Sequence, residues 1–182
     1  MLNLILYSIL IFLELLFSIW CVGYIGGLIY SSLMGAPYVP TRNKLLKKIF
    51  AEADIKKGQI FMDLGCGDGR IVRFAVEHFH VHGIGVDINP GLIHWARIKT
   101  AVKHLKNCEF RVENILKTNV SKADVIYLFL LPKFLHKVVP HLEQNCKKGT
   151  IVISHGFELT DWKDKFVKMR KDKPFYTYYY RI

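Results

Sequence analysis

Ile60 to Arg70 reads Ile-Phe-Met-Asp-Leu-Gly-Cys-Gly-Asp-Gly-Arg, an apolar strand-forming run that passes straight into three alternating glycines. Few architectures accept such a stretch. A buried strand that ends in a glycine loop places that loop at the carboxyl edge of a parallel sheet, where ligands of open α/β proteins bind. Gly65, Gly67 and Gly69 let the backbone turn sharply and approach a ligand with no Cβ atoms in the way. The dinucleotide spacing G-x-G-x-x-G is not met, because its third glycine would fall on Arg70. Asp68 would also set a carboxylate where a pyrophosphate should lie, an unfavourable meeting of like charges. A nicotinamide or flavin dinucleotide is therefore disfavoured. A ligand with adenosine, no phosphate and positive charge of its own fits better.

After this loop the chain alternates strand and helix patterns with short connections. Strands are predicted over Gln59–Leu64, Gly83–Asp87, Glu109–Val112, Val125–Phe129 and Thr150–Ser154, and helices over Arg70–His78, Pro90–Leu105 and Pro132–Asn145. That order predicts an α/β fold with a mostly parallel sheet covered by helices on both faces. The tail differs: Phe166–Arg170 and Phe175–Ile182 read as two strands joined by Lys171-Asp172-Lys173-Pro174, a closing antiparallel pair.

What precedes the loop has another character. Leu2 to Leu33 is almost wholly apolar, and residues 1–40 hold one charged side chain, Glu14. About 20 residues of helix cross a ~30 Å hydrocarbon layer, so a transmembrane helix is predicted. A cleaved signal peptide is the competitor, but no Lys or Arg precedes the run and the run is too long for one. Residues 1–34 are therefore read as an anchor, 35–41 (Gly-Ala-Pro-Tyr-Val-Pro-Thr) as an extended linker, and 42–182 as the folded domain. Arg42, Lys44, Lys47 and Lys48 follow the span, which predicts a single-pass protein with its domain on the cytoplasmic side, or the matrix side in a mitochondrion. Gly23 and Gly27, four apart, offer a face for helix pairing. Asn43 to Ala53 reads as an amphipathic helix with Leu45, Leu46, Ile49 and Phe50 on one face and lysines on the other.

All 26 Lys and Arg lie beyond residue 40 with 14 of the 15 Asp and Glu, a net +12 that suits anionic surroundings such as lipid headgroups, acidic proteins or nucleic acid. The cysteines at 21, 66, 108 and 146 form no CxxC motif and no disulfide framework, so a reducing compartment is expected and no metal site is indicated.

Two further strand ends carry matching signals. Asp87 closes the second strand in Gly-Val-Asp-Ile-Asn-Pro, 18 residues beyond Gly69, where it can accept hydrogen bonds from both hydroxyls of a ribose. Asn114 follows the third strand and is placed for an adenine edge, with Ile88 packing on the ring. With Asp63-Leu-Gly-Cys-Gly-Asp-Gly69 these residues resemble the class I S-adenosylmethionine-dependent methyltransferases over residues 42–182. That resemblance implies a Rossmann-like seven-stranded methyltransferase sheet, mostly parallel, closed by a C-terminal antiparallel hairpin. It implies S-adenosyl-L-methionine as cofactor and S-adenosylhomocysteine as product, held by Asp63, Gly65, Cys66, Gly67, Asp68, Gly69, Asp87, Ile88, Asn89 and Asn114. The membrane helix, Pro-Tyr-Val-Pro-Thr, Asp-Gly-Arg-Ile-Val and a proline in the fourth-strand loop are similar to a narrower group. These are the small membrane-anchored protein lysine methyltransferases, whose eukaryotic relatives modify mitochondrial inner-membrane proteins.

The expected activity is methyl transfer to a lysine of a membrane or membrane-proximal protein. A lysine acceptor has to lose its proton, because an amine of pKa about 10.4 is mostly ammonium at neutral pH, and a desolvated channel favours the neutral form. Candidate channel residues are Tyr38 and Thr41 from the linker, Tyr127 and Phe129 from the fourth strand, and His155 with Phe157 after the fifth. Tyr127 and Phe129 equally suit a core strand, and His155 a strand end. The fourth-strand loop Leu130-Leu131-Pro132-Lys133 lacks the Asn/Asp-Pro-Pro-aromatic set of DNA amino methyltransferases, and no RNA-binding module is evident, which disfavours nucleic acid. A lipid or small-molecule methyltransferase and a non-catalytic cofactor-binding membrane scaffold are the alternatives.

Overall fold

The computed structural model describes residues 2–33 and 43–182. Helix α1 spans Leu2–Leu33 and α2 spans Asn43–Glu52. The domain then runs β1 Ile60–Leu64, α3 Arg70–Phe79, β2 His82–Asp87, α4 Pro90–Val102, β3 Cys108–Val112, β4 Val125–Leu128, α5 Pro132–Asn145 and β5 Ile151–His155. A 3₁₀ turn at Thr160–Trp162 leads to β6 Phe166–Arg170 and β7 Thr177–Arg181. The seven strands form one sheet in the order β3-β2-β1-β4-β5-β7-β6, with β1 to β5 parallel and β7 antiparallel to both β5 and β6. The predicted fold class is thus the observed one.

Alternation along the strands divides the core. Met62, Leu64, Ile126, Leu128, Val152 and Tyr180 face α5 through Leu135, Val138, Val139 and Leu142. Phe61, Val125, Tyr127, Ile153 and Tyr179 face the other way, beneath α2 and α3. Helix α2 closes that layer because Leu46, Ile49 and Phe50 recur at helical spacing and are fully buried. The Phe50 ring lies 5.1 to 5.9 Å from those of Phe61, Phe74, Phe79 and Tyr127. Burying a ring of that size contributes about 2 to 3 kcal/mol, so this one residue fixes α2 on the sheet. The Tyr179 hydroxyl also donates to the Ile49 carbonyl at 3.0 Å.

Helix α4 ends at Val102, short of the predicted Leu105, because His104 takes a left-handed conformation (φ 54°) that an α-helix cannot contain. Its start is firm: Asn89 Oδ1 accepts from the Gly91 and Leu92 amides, and Pro90 occupies the first helical position.

Helix α1 stands apart. Its stretch Asn3–Gly27 is long and apolar enough to cross a membrane, and the described side chains of that stretch are exposed apart from the half-buried Cys21 and Gly27. Of the two glycines read as a pairing face, Gly23 has open space where a Cβ would project, whereas Gly27 is turned onto the Asn89 side chain, 2.8 Å from that Cβ position to Nδ2. Tyr38 and Thr41 lie outside the described residues.

Candidate active site

The glycine loop takes its shape from backbone that only glycine adopts readily. Gly65, Gly67 and Gly69 have φ of 87°, 54° and 71°, all in the left-handed region. The loop is tied to the neighbouring strand: the Gly65 and Cys66 amides both donate to the Val86 carbonyl, at 2.8 and 3.0 Å. Beneath it lies Phe110, against which any side chain at Gly69 or Gly85 would collide.

Asp87 arrives at the same edge from β2. Its Oδ2 accepts from the Gly67 amide and its Oδ1 from the Asn89 amide, both at 2.9 Å. One carboxylate therefore fixes the loop after β1 and the turn after β2. Burial raises the Asp87 pKa, opposed by those amide hydrogen bonds. Asp63, at the fourth position of β1, is 2% exposed, and its Oδ2 has no hydrogen-bond partner among the described residues. Burial pushes its pKa well above the carboxylate range, and the charges of Asp87 and Asp68 push it further. Cys66, buried beside the same carboxylates, has its thiol raised first by burial, so it is held as a neutral thiol.

Asp68 has partners of its own. Its Oδ2 lies 2.6 Å from Lys99 Nζ and 3.8 Å from Arg73 Nη2, and its Oδ1 accepts from the Arg70 amide. The structure thus gives this carboxylate a role in holding the loop to α3 and α4, which its place in the sequence does not reveal. Asn114 stands exposed at the end of β3, and its Oδ1 accepts from the Leu116 amide in a local turn. Ile88 is half-buried between Asp87 and Asn89 at the same rim.

The residues present fit S-adenosylmethionine. Three left-handed glycines keep the inner loop clear of side chains, a buried carboxylate oxygen offers an unused acceptor to a cationic ligand, and Asp87 and Asn114 stand at the next two strand ends.

The acceptor-side candidates gather at the carboxyl ends of β4 and β5. Tyr127 is fully buried between Phe50 and His155, so it belongs to the core layer under α2. Phe129, half-buried, packs on His155 with centroids 4.8 Å apart and on Phe175 at 5.3 Å. Phe175 completes this aromatic group from the hairpin, a partner that only the antiparallel pairing of β7 could reveal. His155 is 1% exposed and its Nδ1 lies 2.9 Å from Thr177 Oγ1. Phe157 is half-buried, and its carbonyl accepts from the Ser154 hydroxyl.

Burial lowers the His155 pKa to about 4, with Asp172 opposing weakly. The folded chain therefore keeps this imidazole neutral while the unfolded chain protonates it below about 6.5. The stability it contributes is present above that value and is lost as pH falls toward 4, by roughly 3 kcal/mol. Asp63 acts in the opposite sense. Its folded pKa is raised, so its contribution is complete below the unfolded carboxylate value and is lost as pH rises through the folded one. The two contributions therefore change in opposite senses as pH rises from about 4. Asp63→Asn, which removes the loss with rising pH, should leave thermal melts of the ligand-free chain showing a steeper gain in stability from about 4 to 6.5 than the parent shows.

Comparisons with known proteins agree with this geometry. The family model described as ANTKMT methyltransferase domain matches residues 63–166, more than half of the chain. A protein-lysine N-methyltransferase of Saccharolobus islandicus is 38% identical over 138 residues, which cover 72% of this chain and 83% of the relative. A lysine N-methyltransferase of Xenopus laevis, named for a component of ATP synthase, is 26% identical over 129 residues, 69% of this chain and 55% of that relative, so this chain spans about half its length. Among solved structures, an RNA methyltransferase from Salinibacter ruber in complex with S-adenosyl-L-homocysteine superposes with a TM-score of 0.75 at 30% identity, over 79% of this chain and 94% of that one. On the matched domain and on a loop shaped for the same cofactor, this chain belongs to the ANTKMT methyltransferase domain family of S-adenosylmethionine-dependent methyltransferases.

Proposed function

We propose that this chain is a membrane-anchored protein-lysine methyltransferase acting on a membrane or membrane-proximal protein. The observation that carries the lysine assignment is the 38% identity to a protein-lysine N-methyltransferase over 72% of the chain. The apolar, exposed α1 supports the anchor, with Arg42, Lys44, Lys47 and Lys48 after it favouring a cytoplasmic or matrix-facing domain. Residues 1–34 form the anchor, 35–41 the linker and 42–182 the catalytic domain in this reading. Confinement of enzyme and substrate to one surface raises their effective concentration.

When bound, S-adenosylmethionine supplies an electrophilic methyl group on a sulfonium. The chain's own residues bind and orient it: the three glycines clear space, Asp87 takes the ribose hydroxyls, Asp63 offers its buried oxygen to positive charge, and Asn114 and Ile88 border the adenine. On the acceptor side, Phe129 and Phe175 present an apolar wall that disfavours the charged form of an entering amine. His155 lies beneath that wall, neutral and hydrogen-bonded to Thr177, so it shapes the wall rather than collecting the proton. Positioning of a neutral amine accounts for most of the rate in this scheme. Tyr38 and Thr41, in the linker, are proposed to border the same channel.

The Salinibacter ruber structure and the net positive charge favour one second reading, an RNA acceptor. Full-length chain in membranes, incubated with tritiated methyl donor, separates the possibilities. We expect label in a protein band that yields methyl-lysine on hydrolysis and that survives ribonuclease. Label removed by ribonuclease would establish the RNA reading, and label confined to the organic extract would mean a lipid acceptor. The chain itself should stay in the membrane pellet after an alkaline carbonate wash; its release would rule out the anchor.

A further inference from the structure

Helix α4 buries Leu92, Ile93, Ala96 and Thr100 against the sheet, and its opposite face is unusual for a solvent-facing helix. Trp95, Ile98 and Val102 form one outward strip at spacings of three and four and are 49%, 39% and 73% exposed. Residues 90–107 also carry Arg97, Lys99, Lys103 and Lys106 and no acidic side chain. Lys99 Nζ sits 5.2 Å from the Trp95 ring centre, so cation and indole share one edge of the strip. A narrow apolar stripe with tryptophan, bordered by long basic side chains, has the composition of a helix that lies in a bilayer interface. Its place in the fold agrees. Asn89, which caps the first turn of α4, is the residue that meets Gly27, at the end of the apolar stretch Asn3–Gly27.

We propose that the outer face of α4 is a membrane-docking surface that rests on anionic phospholipid headgroups beside the point where α1 leaves the bilayer. This rests on the reading of α1 as an anchor. Trp95, Ile98 and Val102 enter the headgroup boundary, and Lys106 and Lys103, the latter in an exposed pair with Glu77, meet lipid phosphates, while Lys99 stays on Asp68 and Arg97 on the Phe110 carbonyl. The turn after β2, which bears Asp87 and Asn89, is thereby held at the membrane plane, so the domain is oriented as well as tethered. A protein partner on the same strip is disfavoured by its narrowness.

The three tryptophans test this directly, since Trp20 lies in α1, Trp95 on α4 and Trp162 in the core at 1% exposure. The full chain is placed in nanodiscs whose phosphatidylcholine is brominated near the glycerol, with and without phosphatidylglycerol. Trp162 alone, in the Trp20→Phe/Trp95→Phe chain, sets the baseline. The Trp20→Phe chain should be quenched beyond that baseline, more so with phosphatidylglycerol present, and the Trp95→Phe chain should be quenched through Trp20. If Trp20→Phe matches the baseline while Trp95→Phe is quenched, docking by α4 is overturned and the anchor stands. If neither exceeds the baseline, the anchor reading fails and the proposal fails with it. Trp95 quenching that does not increase with phosphatidylglycerol overturns the role of anionic headgroups.

Discussion

Asp87→Ala lowers affinity for S-adenosylmethionine by about two orders of magnitude. The carboxylate holds the Gly67 and Asn89 amides at 2.9 Å and is proposed to accept the ribose hydroxyls through its remaining lone pairs. Hydrogen bonds to a charged group contribute about 1.5 to 3 kcal/mol each, so losing the ribose pair costs roughly 3 kcal/mol or 100-fold in binding. The same substitution leaves two loop amides without their acceptor, so the ligand-free chain should melt somewhat earlier as well. Titration calorimetry with S-adenosylhomocysteine measures the affinity, and circular dichroism shows whether the variant is folded. A folded Asp87→Ala chain that binds within threefold of the parent would remove Asp87 from the cofactor site.

A larger effect on stability is expected at Gly69. An alanine there would hold φ near 71°, which costs a residue with a Cβ about 1 to 2 kcal/mol. Its Cβ would also lie 2.6 Å from Phe110 Cζ and 2.9 Å from the Ala96 Cβ, contacts too short to persist without a shift of the core. Overpacking of this kind typically costs about 1 to 3 kcal/mol, so Gly69→Ala should lose about 2 to 5 kcal/mol in chemical denaturation. Against a typical total of about 5 to 15 kcal/mol that is a severe change. Phe110→Leu in the same chain should recover the part due to the ring and leave the backbone strain and the Ala96 contact, which separates the ring from the other causes.

The parts of the fold that follow from local rules were legible in the sequence. Periodicity and glycine placed β1 within one residue, and Pro132 and Pro90 marked helix starts at their observed positions. Asp87 could be placed at the rim because a parallel strand must deliver its last residue there. The partners of these residues were not legible, since they depend on distances across the chain. Lys99 reaches Asp68 from 31 residues away, and a lysine on a basic helix carries no local sign of a buried carboxylate partner. Phe175 meets Phe129 and His155 only because β7 pairs with β5 in antiparallel register, His155 opposite Thr177. Tyr127 shows the same limit. A strand of Val-Ile-Tyr-Leu is buried on both faces, so alternation could not tell whether the ring faces a channel or the α2 layer. The Phe50 ring, from a helix far earlier in the chain, answers that.

The position of β7 between β5 and β6 sets an order on biosynthesis. Helix α1 is made before the strands of the sheet, whereas β5 gains its second neighbour only when Thr177–Arg181 is made. Until then Ile151, Val152 and Ile153 border an unpaired edge, the kind of template on which nascent chains associate. Chains interrupted before Thr177 should therefore accumulate as aggregates, and the membrane tether proposed above, by spacing chains out in two dimensions, would protect the growing polypeptide as well as serve the finished enzyme.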